Sequence, residues 1–155
     1  PSRIGIFGNS LGGSLAIQLA AQTQSIKAIV THSAVASVRS TVETSIAYFT
    51  GLPPFPFTPM ILFWVEQDWA MEPHLLDFTM WIAALDSQPI LLMQGGADVV
   101  VAPESGQLLY DAAREPKELW FEPDLGHVDF QRERSQEFSD RVVGFFNRHL
   151  LNPEN

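Results

Sequence analysis

Apolar positions along this chain fall into two alternating patterns. Short apolar runs at Ile4–Phe7, Lys27–Thr31, Pro89–Gln94 and Lys117–Glu122 have the length and composition of buried strands. The proline at 89 stands at the first residue of its run, where a strand tolerates it. Longer segments repeat their apolar residues at helical spacing. Residues 11–22 carry Leu11, Leu15 and Leu19 four apart with Ala16 and Ala20 beside them, which predicts one apolar helix stripe. Residues 103–115 read as a second helix, with Pro103 suited to its first turn and Pro116 ending it. A last helix over about 135–150 places Phe138, Val142, Phe145, Phe146 and Leu150 on one face. Strands alternating with helices predict an α/β fold, a parallel sheet with right-handed crossovers and helices on both faces.

Residues 34–88 break this rhythm. Pro53, Pro54, Pro56 and Pro59 fall within seven residues, a density that argues against a regular helix or a central strand. Met60–Val65 is strongly apolar, and Trp69, Phe78, Met80 and Trp81 follow. Residues 73–85 predict a helix, with Leu75, Leu76, Thr79, Met80 and Ala83 at helical spacing. Residues 34–88 are therefore expected to be an insertion between sheet strands. Its aromatics either build the segment's own core or line an apolar pocket.

Composition narrows the partners. A length of 155 residues with 46% hydrophobic content suits one domain with a real core. The net charge of −9 and the lack of basic runs argue against a nucleic-acid groove and against an anionic membrane as an electrostatic partner. No uninterrupted apolar stretch reaches the eighteen or so residues of a membrane span. The absence of cysteine removes disulfides and thiolate metal sites. His32, His74 and Asp129 have no metal-ligand spacing, so neither metal nor cofactor is expected. No targeting segment is readable from Pro1 onward, and the compartment stays open with the cytoplasm as the default.

The chemistry sits at the ends of the predicted strands. Gly8-Asn9-Ser10-Leu11-Gly12 is a G-x-S-x-G pentapeptide between a strand and a helix. On such a turn the serine hydroxyl stands clear of the sheet, and the Leu11 N–H points to where an oxyanion forms. Gly95-Gly96-Ala97-Asp98 puts a carboxylate just past the third strand, and Pro123-Asp124-Leu125-Gly126-His127 puts an imidazole past the fourth. Asp124 and Asp129 flank the histidine and Glu104 follows the acid loop, so each competes with Asp98. His32, His74 and His149 compete with His127. His32 ends the second strand and either borders the pocket or, as its default, is a satisfied loop histidine; for the other two the default is a solvated one.

With the order Ser, Asp, His, the chain resembles the α/β-hydrolase superfamily over nearly its whole length. Pro1–Gly13 is similar to the elbow segment of dienelactone-hydrolase-like, prolyl-oligopeptidase-like and serine-aminopeptidase-like members, and the other two loops to their acid and histidine loops. The resemblance implies Ser10 as nucleophile, Asp98 as acid, His127 as base and Leu11 N–H as an oxyanion donor. It implies a serine hydrolase for an ester, thioester or small amide, acting on an apolar acyl substrate; transfer to an alcohol fits the same residues. It also implies that residues 34–88 form a cap or lid, and that the four strands are the C-terminal half of an eight-stranded fold, whose upstream half supplies the second oxyanion donor. The alternative is a non-catalytic domain of this fold that binds a hydrophobic ligand or a protein partner.

Overall fold

The computed structural model describes residues 3–69 and 77–151. Four strands, β1 (Ile4–Asn9), β2 (Ile26–His32), β3 (Ile90–Gly95) and β4 (Lys117–Glu122), form one sheet in the order β1-β2-β3-β4. Every pairing is parallel. All four strands therefore end at the same side of the sheet, where Ser10, Ser33, Gly96 and Pro123 follow them. β3 is buried along its whole length, as its unbroken run of Ile90, Leu91, Leu92 and Met93 requires of a strand covered on both faces.

Side-chain alternation divides the core into two layers. Ile29, Ile90 and Leu92 point to one face, where they meet Ile17 and Ala20 of α1 (Leu11–Gln22). On the same face lie Phe78 and Ile82 of α4 (Phe78–Ala83) and Leu109 of α5 (Glu104–Ala112). Ala28, Val30, Leu91 and Met93 point to the other, against Phe130 of α6 (Phe130–Glu133) and Phe145 of α7 (Ser135–Phe146). The last predicted helix stops earlier than its periodicity suggests, because Asn147–Leu151 continues as a π-turn.

Between β2 and α4 the chain makes an excursion of two helices, α2 (Val38–Thr50) and α3 (Pro54–Trp69). An isolated antiparallel bridge, Ser37 with Asp77, joins its two ends. Pro53 precedes α3, and Pro54, Pro56 and Pro59 fall within its bounds, which are broken by a kink rather than regular. Phe55 is non-helical, and regular turns begin after it, so Pro56 and Pro59 occupy the opening turn. There the backbone N–H groups have few intrahelical acceptors to lose. The flanks of the 34–88 segment belong to the main core: Ala34, Val35, Ala36, Phe78, Ile82 and Leu85 are all buried in it. The predicted 73–85 helix is observed from Phe78, and His74, Leu75 and Leu76 lie outside the described residues.

The α1 stripe is divided differently from the sequence expectation. Ala16, Ile17 and Ala20 face the sheet, while Leu11, Leu15 and Leu19 are each 49% exposed. This helix is apolar on nearly every side, so periodicity alone does not choose its inner face. Beside Ile17, the inward residues Gly13, Ser14, Ala16 and Ala20 are all small, which suits a helix that begins one residue after β1 and lies close to the sheet. Ile17→Ala is expected to destabilise the chain by about 2–5 kcal/mol and Leu15→Ala by less than about 1 kcal/mol, measured by urea unfolding. Equal losses would overturn this division of the helix.

Candidate active site

The turn from β1 to α1 is made by one residue. Ser10 has φ 52° and ψ −131°, a left-handed backbone in a residue with a Cβ, and its side chain makes no capping hydrogen bond. Strain of this kind costs on the order of 1–3 kcal/mol and persists only where the surroundings enforce it. Here the Ser10 N–H donates to the His32 carbonyl at 2.8 Å, and the Gly13 N–H donates to the Ser10 carbonyl at 2.9 Å. The Oγ has no hydrogen-bond partner among the described residues. Leu11 N–H belongs to the first helical turn, where no intrahelical acceptor exists.

Steric need for glycine falls on Gly8 and Gly13. A Cβ on Gly8 would stand 2.7 Å from Gly13 Cα, and one on Gly13 would stand 3.0 Å from the Gly8 carbonyl oxygen and 3.1 Å from Ala34 Cβ. A Cβ on Gly12 meets nothing within 4 Å. The second glycine of the pentapeptide is thus not the one that relieves a clash in this chain.

The acid and histidine loops meet backbone to backbone. Ala97 N–H donates to the Leu125 carbonyl at 2.9 Å, and Gly96 N–H donates to Glu122 at 2.8 Å. A Cβ on Gly95 would overlap the Leu125 carbonyl, and one on Gly96 would come within 2.8 Å of Pro123 Cα. That proximity brings His127 Nδ1 to 2.8 Å from Asp98 Oδ2. The other oxygen, Oδ1, accepts from the N–H groups of Val100 and Val101, both at 2.9 Å. Burial pushes the Asp98 carboxyl up, but the His127 bond and the Val101 and Val100 N–H groups outweigh it and hold the group below its ordinary range. Asp98 is therefore a carboxylate at neutral pH and can only accept. Nδ1 is then the donor, so in the neutral imidazole the lone pair lies on Nε2.

The competing carboxylates are committed elsewhere. Asp129 accepts from the Gly126 N–H at 3.2 Å and pairs with Arg132 at 2.9 Å, so it braces the histidine loop from outside. Asp124 pairs with Arg134 at 3.2 Å on the surface, and Glu104 is exposed at the start of α5. His149 packs on Phe145, with ring centroids 4.6 Å apart.

His32 is not the satisfied loop histidine of its default reading. It is buried, its Nε2 has no hydrogen-bond partner, and it lies edge-on to Phe130 at 5.2 Å and near Phe138 at 5.9 Å. Burial, then the nearby His127, lower its pKa to about 4, against a partial upward pull from Asp98 and Asp129.

A profile of the prolyl oligopeptidase family matches residues 1–153. The chain belongs to the prolyl oligopeptidase family, within the α/β-hydrolase superfamily. It is 28% identical over 158 aligned residues to the protein YfhR of Escherichia coli O157:H7, covering 100% of this chain and 49% of that protein. It is 30% identical over 129 residues to Rv2307c of Mycobacterium tuberculosis, covering 83% and 39% respectively. Among solved structures, the Pyrococcus furiosus esterase Pf2001 superposes with a TM-score of 0.75 at 24% identity, covering 96% of this chain and 54% of that one. The Pyrococcus horikoshii acylaminoacyl peptidase superposes with a TM-score of 0.71 at 18% identity, covering 96% and 24%. These structural likenesses establish the fold. The chain spans about half the length of the curated relatives it matches.

The buried neutral His32 makes stability depend on pH. Its folded pKa of about 4 lies below the ordinary 6.5, so the unfolded chain takes up the proton first as pH falls. The stabilisation is complete above pH 6.5 and is lost between 6.5 and 4, by roughly 3 kcal/mol in all. Loss from Asp98 begins only below its ordinary 3.8. Urea unfolding at a series of pH values should show His32→Gln flattening the fall between pH 6.5 and 4. An unchanged slope would rule out this role for His32.

Proposed function

We propose that the chain carries the catalytic serine, acid and base of a hydrolase that moves an acyl group from an ester, thioester or small amide to water. Family membership supports hydrolase chemistry. The observation that carries the serine mechanism is the part-buried Asp98–His127 hydrogen bond, which engages Nδ1 rather than Nε2, at the sheet end where the strained Ser10 turn lies. Nε2 takes the Ser10 proton as Oγ bonds to the substrate carbonyl carbon. Negative charge collects on the carbonyl oxygen and is met by the Leu11 N–H at the start of α1. His127 then gives the proton to the departing alcohol, thiol or amine. Water repeats the sequence on the acyl-serine and regenerates Ser10. Asp98 stays ionised throughout and stabilises the imidazolium.

A second oxyanion donor belongs, on this reading, to a segment upstream of Pro1. Losing one such donor typically costs about 3–4 kcal/mol of transition-state stabilisation. The α2–α3 excursion would cover the acyl group. Leu62 is its buried apolar anchor, while Phe55, Phe63 and Trp64 are 78%, 55% and 59% exposed, so these aromatics are available to a substrate. The same exposure favours the second reading, a non-catalytic domain that uses the excursion to bind a hydrophobic ligand or partner.

A fluorophosphonate probe separates the two. In the complete protein it should label Ser10, and Ser10→Ala should abolish labelling. Turnover of a short acyl ester should fall by at least about a thousandfold in His127→Ala and clearly in Asp98→Asn. Asp129→Asn should fall by less than about tenfold, because Asp129 meets a backbone N–H and Arg132 rather than the imidazole. No labelling would sink the enzyme reading; a severe Asp129→Asn would move the acid.

The excursion has its own test. Phe63→Ala and Trp64→Ala should alter the ratio of kcat/KM for long against short acyl esters by about tenfold with stability nearly unchanged, since both side chains are exposed. An unchanged ratio would remove the excursion from substrate choice.

A further inference from the structure

Three non-glycine residues among the described ones have positive φ: Ser10 at 52°, Ser33 at 52° and Val128 at 49°. They are far apart in sequence, yet the carboxyl end of β2 joins all three. The His32 carbonyl accepts the Ser10 N–H at 2.8 Å. The next residue, Ser33, accepts the Val128 N–H on its Oγ at 3.3 Å and donates its own N–H to the Met93 carbonyl at 2.8 Å. The serine turn, the end of β3 and the residue after His127 are thus tied to one dipeptide.

Val128 is the informative member. A β-branched residue with positive φ is a true outlier, and it relaxes unless something holds it. Relaxation at Val128 would reorient the peptide that joins it to His127 and draw the imidazole away from Asp98. The Ser33 hydroxyl is placed to prevent this. Ser33 is fully buried, so its hydroxyl has no access to solvent and acts on the loop directly. We propose that Ser33 is a positioning residue, whose Oγ holds Val128 and thereby fixes His127 relative to Ser10 and Asp98. This rests on the reading of Ser10, Asp98 and His127 as the reacting set. Ser33 itself touches no reacting atom.

The test uses the complete protein, a short p-nitrophenyl ester as substrate and the fluorophosphonate as label. Ser33→Ala should lower kcat and the labelling rate by about 10- to 100-fold with KM within about threefold, the signature of a misplaced base rather than a lost substrate contact. The downfield imidazole proton of the His127–Asp98 bond, seen by proton NMR, should broaden or vanish. Ser33→Gly adopts φ 52° without strain and also lacks the hydroxyl, so it should match Ser33→Ala and serves if the alanine variant does not fold. The decisive arm is Val128→Gly, where no strained valine remains to be held. In that background Ser33→Ala should cost less than about threefold, a non-additivity that general destabilisation does not produce.

Wild-type kcat and an intact downfield proton in both Ser33 variants would overturn the proposal, as would an equal loss with and without Val128. A wild-type protein that never labels at Ser10 would instead overturn the hydrolase reading. The NMR arm still reports then whether Ser33 holds the Asp98–His127 pair.

Discussion

The loop after β3 lies against the loop after β4 with backbone on backbone, and the position of the candidate acid and base depends on that approach. Parallel pairing brings the two strand ends side by side, but side chains at Gly95 or Gly96 would force the loops apart. With glycine at both positions, Ala97 and Leu125 share a hydrogen bond, and Asp98 and His127 come together a few bonds further on. The glycines serve by the room they leave, since neither has a positive φ. A hydrogen bond between side chains is thus set by how closely two main chains can pass.

Charge at this place is arranged with equal economy. Two imidazoles lie near one buried carboxylate, and each could in principle compete for it. Desolvation among Phe130 and Phe138 keeps His32 neutral, so the Asp98 charge is answered by His127 and by the N–H groups of Val100 and Val101. Asp129 and Asp124, nearer to His127 in sequence, are held outward by Arg132 and Arg134. Proximity along the chain is therefore a poor guide to which carboxylate meets the ring, and position after a strand is a better one.

That rule explains what the amino-acid pattern disclosed. The sheet was legible because each strand is a short apolar run between helices, and strand ends in a parallel sheet share one side. Asp98 and His127 stood out for following such runs. The α1 face did not, since its residues are apolar all round and only closeness to the sheet selects Ala16, Ile17 and Ala20 over the leucines. The α3 start was obscured by its prolines, whose meaning changes between the opening turn and the middle of a helix. Ser33 carried no signal at all. A lone serine after a strand is ordinary, and its tie to Val128 spans 95 positions of sequence.

The bridge between Ser37 and Asp77 has a consequence beyond the local contact. It fastens the entrance and exit of the α2–α3 excursion to each other, next to the point where Phe78 N–H reaches the Ala36 carbonyl. Asp77 also closes the first turn of α4 through Thr79, so the return path is set before the core is re-entered. Within the excursion, Val38 packs against the main core and Ser45 Oγ donates to the Val100 carbonyl at 3.0 Å, beside the N–H that holds Asp98. The excursion thus enters and leaves through one closed neck and also reaches back to the loop that carries Asp98, so its own shape and the placing of that carboxylate are linked.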